Sequence, residues 1–377
     1  MRIAFDARTL CTPKTGDRTV TTGLLQGMLA LAEPEGLEII AVSDRPIPTG
    51  LLRETAALRM HMAPWPRGYA WTWLAFPRAL RAVKADVAVL QYMAPQRLPC
   101  PFVTFIHDTV WRSMPETFPW RDRLVLDTFI PSTIAHAAAV CTGSHFAASE
   151  ISRHYPHAAG KLHVVPYGVE ARFRPVTDQQ ELRRVRAKYS LPERFVLSVG
   201  VLQPRKNVEA LVHAYQRLPA PLRAQHGLVI VGKHGWLMKH LPALAREAGP
   251  DVQFTGYADD EDLPALYTLA ECFAYPSLYE GYGLPPLEAM ACGTPVLTSN
   301  VASLPEVTAG AALCVDPTDV QSLQDGLQRM LTDTDLRREL VTRGLERAAG
   351  LTWGPAAQGL LGVLRAVVAE GWARSRN

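Results

Sequence analysis

The chain has 377 residues, of which 48% are hydrophobic and 20% charged, and a net charge of +3. The length exceeds one ordinary core and points to two domains, and the composition is that of a soluble globular protein. The small positive charge leaves no footprint for nucleic acid, and no apolar run reaches the length of a membrane span.

Residues 2–6 read as a first strand rather than a signal peptide, because no extended apolar region is present there. Residues 19–31 read as a helix with Val20, Leu24, Leu25, Met28 and Leu29 at helical spacing. The stretch CTPKTGDRTVTTG between them is a strand-to-helix loop, at the edge where parallel α/β sheets bind ligands. Within it Arg18 either reaches an anion with its side chain or is solvated. Residues 37–42 are a second strand. Residues 65–84 combine Trp65, Tyr69, Trp71, Trp73 and Phe76 with Arg67, Arg78, Arg81 and Lys84. Such a helix either packs its aromatics inward or touches a membrane face or a lipid-linked acceptor, and the interruption at Pro77 favours the first.

Residues 87–90 and 102–106 have the length of buried strands, and the second ends in His107-Asp108-Thr109. A histidine just beyond a strand end is placed either to donate to a ligand oxygen or to fill the core, and Asp108 suits a cap of the next turn. Residues 120–138 read as a helix, 138–142 as a strand, 144–155 as a helix with Ser144 as N-cap, and 162–166 as a strand. His154 and His157 flank Pro156 without a carboxylate or thiol partner and read as loop residues, not metal ligands. Six cysteines, at 11, 100, 141, 272, 292 and 314, contain no C-x-x-C, so no zinc site or disulfide framework is expected, and a reducing cytoplasm fits them best. The chain turns polar at RFRPVTDQQ, which puts a domain boundary near 170–178.

The second half repeats the alternation. Residues 195–200 are a strand, and Arg205, Lys206 and Asn207 follow at a loop-to-helix junction, where two cations add to the anion preference of a helix start. Residues 228–231 and 252–256 are further strands, and 259–269 reads as a helix whose DDEDL start favours its dipole. After the strand 272–275 comes EGYGLPPLE, with Glu280 and Glu288 eight positions apart. Gly281 and Gly283 permit a tight turn, and Pro285 suits a first helical turn. The amides of Tyr282, Gly283 and Leu284 then sit at a helix start, an anion site. Glu280 lies in a flexible turn and Glu288 one turn into the helix, so the two carboxylates hold different parts of one ligand rather than forming an acid pair. Strands at 296–298 and 313–315, helices at 318–332 and 333–348, and an amphipathic tail at 353–372 complete the chain.

EGYGLPPLE resembles the E-x7-E motif of the family 4 glycosyltransferases, retaining enzymes of the GT-B fold, and AMACGTPV and SLPE resemble the same family. PRKN is similar to its donor-diphosphate motif and PYGVE to its P-x-G-V linker. The resemblance implies an α/β fold of two Rossmann-like parallel-sheet domains, 1–172 and 173–350, facing a central cleft. It implies that residues 351–377 are a helix returning to the first domain. By resemblance, Lys206, Arg205 and the turn Gly281, Tyr282, Gly283 and Leu284 bind the donor diphosphate. Glu288 binds the ribose, Glu280 and His107 the transferred sugar, and Tyr257 the base. Gly16 stands in the family's G-x-G-R-Y turn, but Arg18 occupies the place of its second glycine, and Val201 replaces an arginine common after the strand glycine. On this reading no D-x-D metal motif appears in the chain, in keeping with metal-independent members of this fold, and neither cofactor nor metal is implied. The variants look most like mannosyltransferases using GDP-mannose, with a glycan or lipid-linked acceptor and a place in the cytoplasm or at the inner face of the membrane. A nicotinamide dehydrogenase would need G-x-G-x-x-G after the first strand, which KTGDRTV lacks. A non-catalytic glycan- or nucleotide-binding homologue of the same fold is the alternative.

Overall fold

The computed structural model describes residues 1–375 apart from 13–14, 66–69, 234 and 237–240. The chain divides into two compact units. The first comprises Met1–Ser113, Trp120–Gly168 and Leu351–Asn377, and the second Met114–Pro119 and Val169–Gly350.

The first unit is built on a sheet of β1 (Arg2–Asp6), β2 (Glu38–Ser43), β3 (Leu58–Met62), β4 (Val87–Gln91), β5 (Phe102–Phe105), β6 (Ala139–Thr142) and β7 (Leu162–Val164). Its order is β3-β2-β1-β4-β5-β6-β7, with every pair parallel. The second unit holds β8 (Phe195–Val199), β9 (Gly227–Val231), β10 (Val252–Gly256), β11 (Cys272–Tyr275), β12 (Val296–Ser299) and β13 (Leu313–Val315). These are also parallel, in the order β10-β9-β8-β11-β12-β13. Strands such as FVTF, AVCT, CFAY and VLTS are buried along their whole length, as a parallel sheet covered on both faces requires. The strand order reverses between β1 and β4 in one sheet and between β8 and β11 in the other. A doubly wound sheet opens a crevice at the carboxyl ends of such a pair.

Several elements depart from the sequence reading. The strand β3, LRMHM, was not anticipated: it lies at the sheet edge with Met60 and Met62 exposed, so no buried apolar run announces it. The helix Gln179–Lys188 was not anticipated either: it begins at the end of the polar stretch that marks the domain boundary, and Val185 is its one buried residue. It is anchored instead by charge, with Lys188 Nζ 2.6 Å from Asp262 Oδ2 and Arg184 on Asp262 Oδ1. That network also explains why DDEDL does not start a helix. Asp262 is buried as the acceptor for both cations and for the Tyr189 hydroxyl (2.7 Å), and the helix begins at Leu263.

Pro77 does not break the aromatic segment. A π-turn, Trp71–Ala75, closed by the Phe76 amide on the Trp71 carbonyl, passes into the helix Phe76–Val83, so the proline follows a turn that already interrupts the regular ladder. Trp71 and Phe76 point inward, and Trp71 Nε1 donates to the Ala63 carbonyl at 2.8 Å. Arg67 and Tyr69 of that segment lie outside the described residues.

The first helix, Gly16–Ala32, starts three residues earlier than its apolar pattern, because Thr15 caps it and accepts from the Arg18 amide (3.3 Å). The C-terminal helix Trp353–Ser375 packs on it within the first unit. Gly23 and Gly27 admit this contact. A Cβ at Gly27 would lie 2.5 Å from the Trp353 carbonyl oxygen and 2.8 Å from Ala357 Cβ. Gly27→Ala therefore sets two effects against each other. Alanine gains about 1 kcal/mol of helix propensity, while overpacking against a fixed backbone atom costs about 1–3 kcal/mol. The expected net loss is about 1 kcal/mol, read as a lower midpoint in urea; a raised midpoint would show that the two helices can part freely.

Candidate active site

In the second unit the singled-out cations and glutamates follow the carboxyl ends of β8 and β11, and Tyr257 follows β10. The backbones after β8 and β9 approach so closely that a Cβ at Gly232 would lie 1.8 Å from the Gly200 carbonyl oxygen. After β8 the chain turns through a short 3-10 helix, Pro204–Lys206, and Asn207 adopts a left-handed conformation (φ 56°) before the helix Val208–Gln216. This turn aims both cations at the loop after β11. Lys206 Nζ lies 2.5 Å from Glu280 Oε1, and Arg205 Nη1 lies 2.8 Å from Glu280 Oε2. Arg205 is braced further: Nη1 donates to the Tyr279 carbonyl (3.0 Å), Nε donates to Gln203 Oε1 (3.2 Å), and its own carbonyl accepts from the Leu278 amide (2.8 Å). Tyr275, the last residue of β11, donates its hydroxyl to Glu280 Oε1 at 3.0 Å and also meets Lys206 Nζ.

Glu280 is only 6% exposed, so the turn that carries it is a packed element and not the flexible loop its glycines suggest. Ser303 Oγ supports it, 2.9 Å from the Glu280 carbonyl and 2.8 Å from that of Tyr282. Gly283 takes φ 99°, and a Cβ there would meet Leu304 at 2.8 Å. Burial alone would raise the Glu280 pKa. The adjacent Arg205 and Lys206 outweigh it and hold the carboxyl at about 2. Burial, then the charge of Glu280, pushes the Tyr275 phenol well above its ordinary value. Glu280 is thus a fixed anion, unsuited to deliver a proton at neutral pH.

Glu288 lies in the helix Leu284–Ala291, 9% exposed, and accepts from the Tyr267 hydroxyl at 3.0 Å. Burial lowers the Arg172 pKa, but Glu170 at 2.8 Å and the charge of Glu288 reverse this and raise it. The two glutamates therefore have different partners. Pro285 and Pro286 carry no N–H, so the amides at this helix start come from Leu284 and the turn before it. Tyr257 is 48% exposed, with Lys233 Nζ 4.0 Å from its ring centroid. The sequence reading passed over Tyr275, Tyr267 and Ser303. The tyrosines stand at apolar positions of a strand and a helix, and only their hydroxyls, aimed at buried carboxylates, reveal a polar task.

In the first unit His107 follows β5 and is 8% exposed. Its Nδ1 lies 2.5 Å from the Tyr167 hydroxyl, and its Nε2 lies 3.9 Å from Asp17 Oδ1. Burial pushes its pKa down to about 4, with the charge of Asp108 opposing, so the ring is neutral. Asp108 caps the next turn, its Oδ1 accepting from the Val110 amide at 3.1 Å. Gly16 begins a helix rather than lying in a loop, and a Cβ there would meet nothing within 4 Å. The Arg18 guanidinium donates to the Thr12 carbonyl at 2.6 Å, so it braces its own loop instead of extending toward an anion.

Two family models match in succession: Glycosyltransferase Family 4 over residues 30–173 and Glycosyl transferases group 1 over residues 178–347. The O-antigen chain mannosyltransferase B of Escherichia coli is 34% identical over 80% of this chain and 78% of that protein. The chain belongs to the family 4 glycosyltransferases. A serotype-specific mannosyltransferase WbdA of Escherichia coli is 38% identical to this glycosyltransferase over 59% of the chain, which is 28% of WbdA. The sucrose-phosphate synthase from Thermosynechococcus elongatus shares its GT-B fold, with a TM-score of 0.77 at 23% identity over 98% of this chain and 99% of that one.

Two D-x-D strings do occur in this glycosyltransferase, a correction to the sequence reading. In Asp260-Glu261-Asp262, Asp262 is taken by Arg184, Lys188 and Tyr189. In Asp333-Thr334-Asp335, Asp333 caps a helix by accepting from the Leu336 amide (2.9 Å). Among the described residues no group of three or more His, Cys, Asp or Glu side chains is placed to hold a metal, and no helix is long and apolar enough to cross a membrane.

Proposed function

We propose that this glycosyltransferase moves mannose from GDP-mannose to a hydroxyl of a glycan or glycolipid, with retention at the anomeric carbon. The observation that carries the reading is the buried cluster of Lys206, Arg205 and Glu280 at the point where the second sheet reverses its strand order. The mannosyltransferase relatives support the choice of sugar. The leaving group is a nucleotide diphosphate, so the reaction needs positive charge fixed where negative charge develops. Lys206 and Arg205 supply it, with the amides of Tyr282, Gly283 and Leu284. Glu280 orders the cations and accepts from hydroxyls of the sugar. Glu288 accepts from the ribose, Tyr257 offers its exposed face to the base, and His107 donates to a sugar hydroxyl. Neither a metal nor a cofactor enters this reading. The acceptor, when lipid-linked, brings the enzyme to the inner face of the membrane.

Two measurements test this. Thermal shift across nucleotide sugars should give its largest rise with GDP-mannose, since a ligand that binds the native state stabilises it. The product formed from the α-linked donor should then be α-linked by NMR coupling. A β-linked product would overturn retention, and binding without transfer or donor hydrolysis would favour a non-catalytic homologue.

A further inference from the structure

We infer that Tyr167 is a positioning residue that fixes His107 in the tautomer carrying its proton on Nε2, making that nitrogen the donor to the ligand. The inference rests on the reading of His107 as a sugar contact. A neutral imidazole has one donor and one acceptor nitrogen, and the bond made by one decides the role of the other. The Tyr167 hydroxyl lies 2.5 Å from Nδ1. A phenol, titrating near 10, gives up a proton to a hydrogen bond far more readily than a neutral imidazole does, so Tyr167 donates and Nδ1 accepts. The other side of the ring agrees. Nε2 is buried without a hydrogen-bond partner among the described residues, and the Asp17 carboxylate stands 3.9 Å from it. A lone pair on Nε2 would face that anion; a proton there is attracted by it.

The hydroxyl is held rigidly. The Tyr167 ring stacks on Trp353 at a centroid distance of 6.3 Å. A Cβ at Gly143 would come 2.7 Å from the ring, and one at Gly168 would come 2.3 Å from the Thr352 backbone. His107 is enclosed by the rings of Tyr92 (5.4 Å), Phe105 (6.0 Å) and Tyr167 (5.5 Å). The groups that bear on its titration are Asp17, Asp108, Tyr92 and Tyr167. The C-terminal segment thus reaches the site through Trp353 and Tyr167, although neither residue belongs to the motifs read from the sequence around His107.

The test is long-range 1H–15N NMR of histidine-labelled enzyme, the His107 signals being assigned by their loss in His107→Gln. Protonated Nε2 with Nδ1 as acceptor is expected in the wild-type enzyme; protonated Nδ1 there would overturn the proposal. Tyr167→Phe keeps the stacked ring and removes only the hydroxyl. Turnover should fall roughly tenfold, with affinity for bare GDP and UDP unchanged. The acid limb of the kcat/KM profile should move to higher pH, since the bond that favoured the neutral ring is gone. Unchanged turnover and an unmoved acid limb, beside an inactive His107→Ala, overturn the positioning role alone. Full turnover in His107→Ala overturns the sugar contact itself.

Discussion

Replacing Glu280 by glutamine is expected to cut sugar transfer by roughly a hundredfold, the loss that follows a misplacement of about 1 Å, while binding of bare nucleotide diphosphate survives. The carboxylate holds Lys206 at 2.5 Å and Arg205 at 2.8 Å, so it orders the cations; in the proposed function it also accepts from the sugar. Glutamine keeps the size and loses the charge, which leaves two mostly buried cations facing a neutral amide. Breaking one side of a buried ion pair costs about 3–5 kcal/mol; the partial exposure of Lys206 and Arg205 puts this case at or below the lower end. A diphosphate supplies the missing negative charge, so GDP should raise the melting temperature of Glu280→Gln more than that of the wild type.

The acid dependence gives the same comparison a second axis. The folded pKa of Glu280, about 2, lies below the ordinary 4.5. Its stabilisation is therefore complete above about pH 4.5 and is lost as pH falls toward 2. The stability gap between wild type and Glu280→Gln should be widest near neutrality and should close across that window in acid titration. A gap that stays constant down to pH 2 would show that the carboxylate is not held by the two cations.

Glu288→Gln should do the opposite in binding. Glu288 is on a helix, fixed by the Tyr267 hydroxyl at 3.0 Å and set in the field of Arg172. A carboxylate that accepts from two ribose hydroxyls makes charge-assisted bonds of about 1.5–3 kcal/mol each. Losing the charge should weaken the intact donor and the bare nucleotide diphosphate alike, by roughly tenfold or more at 1.4 kcal/mol per decade. Calorimetric titration of both variants with GDP separates the roles. If Glu280→Gln abolishes nucleotide binding and Glu288→Gln does not, the two assignments are exchanged.

Much of this is legible without coordinates. The buried strands announce themselves as apolar runs because a parallel sheet is covered on both faces. The spacing of Glu280, Gly283, Pro285 and Glu288 marks a turn entering a helix by purely local chemistry. The helix starts at Thr15 and Ser144 are likewise written in one residue each, although at Thr15 the cap was overlooked in favour of the apolar pattern. What the sequence could not determine is every relation that crosses the chain. Lys206 meets Glu280 across 74 positions because β8 lies beside β11, with β9 and β10 set to its other side. His107 meets Tyr167 across 60 positions, and Tyr167 is stacked on Trp353 from the far end of the chain. The same holds for Asp262, whose charge is taken by a polar helix just past the domain boundary, and for Arg18, which turned back to its own loop. Local rules settle where an element starts and which face is apolar; which charges neutralise one another depends on strand order, and only the tertiary structure decides that.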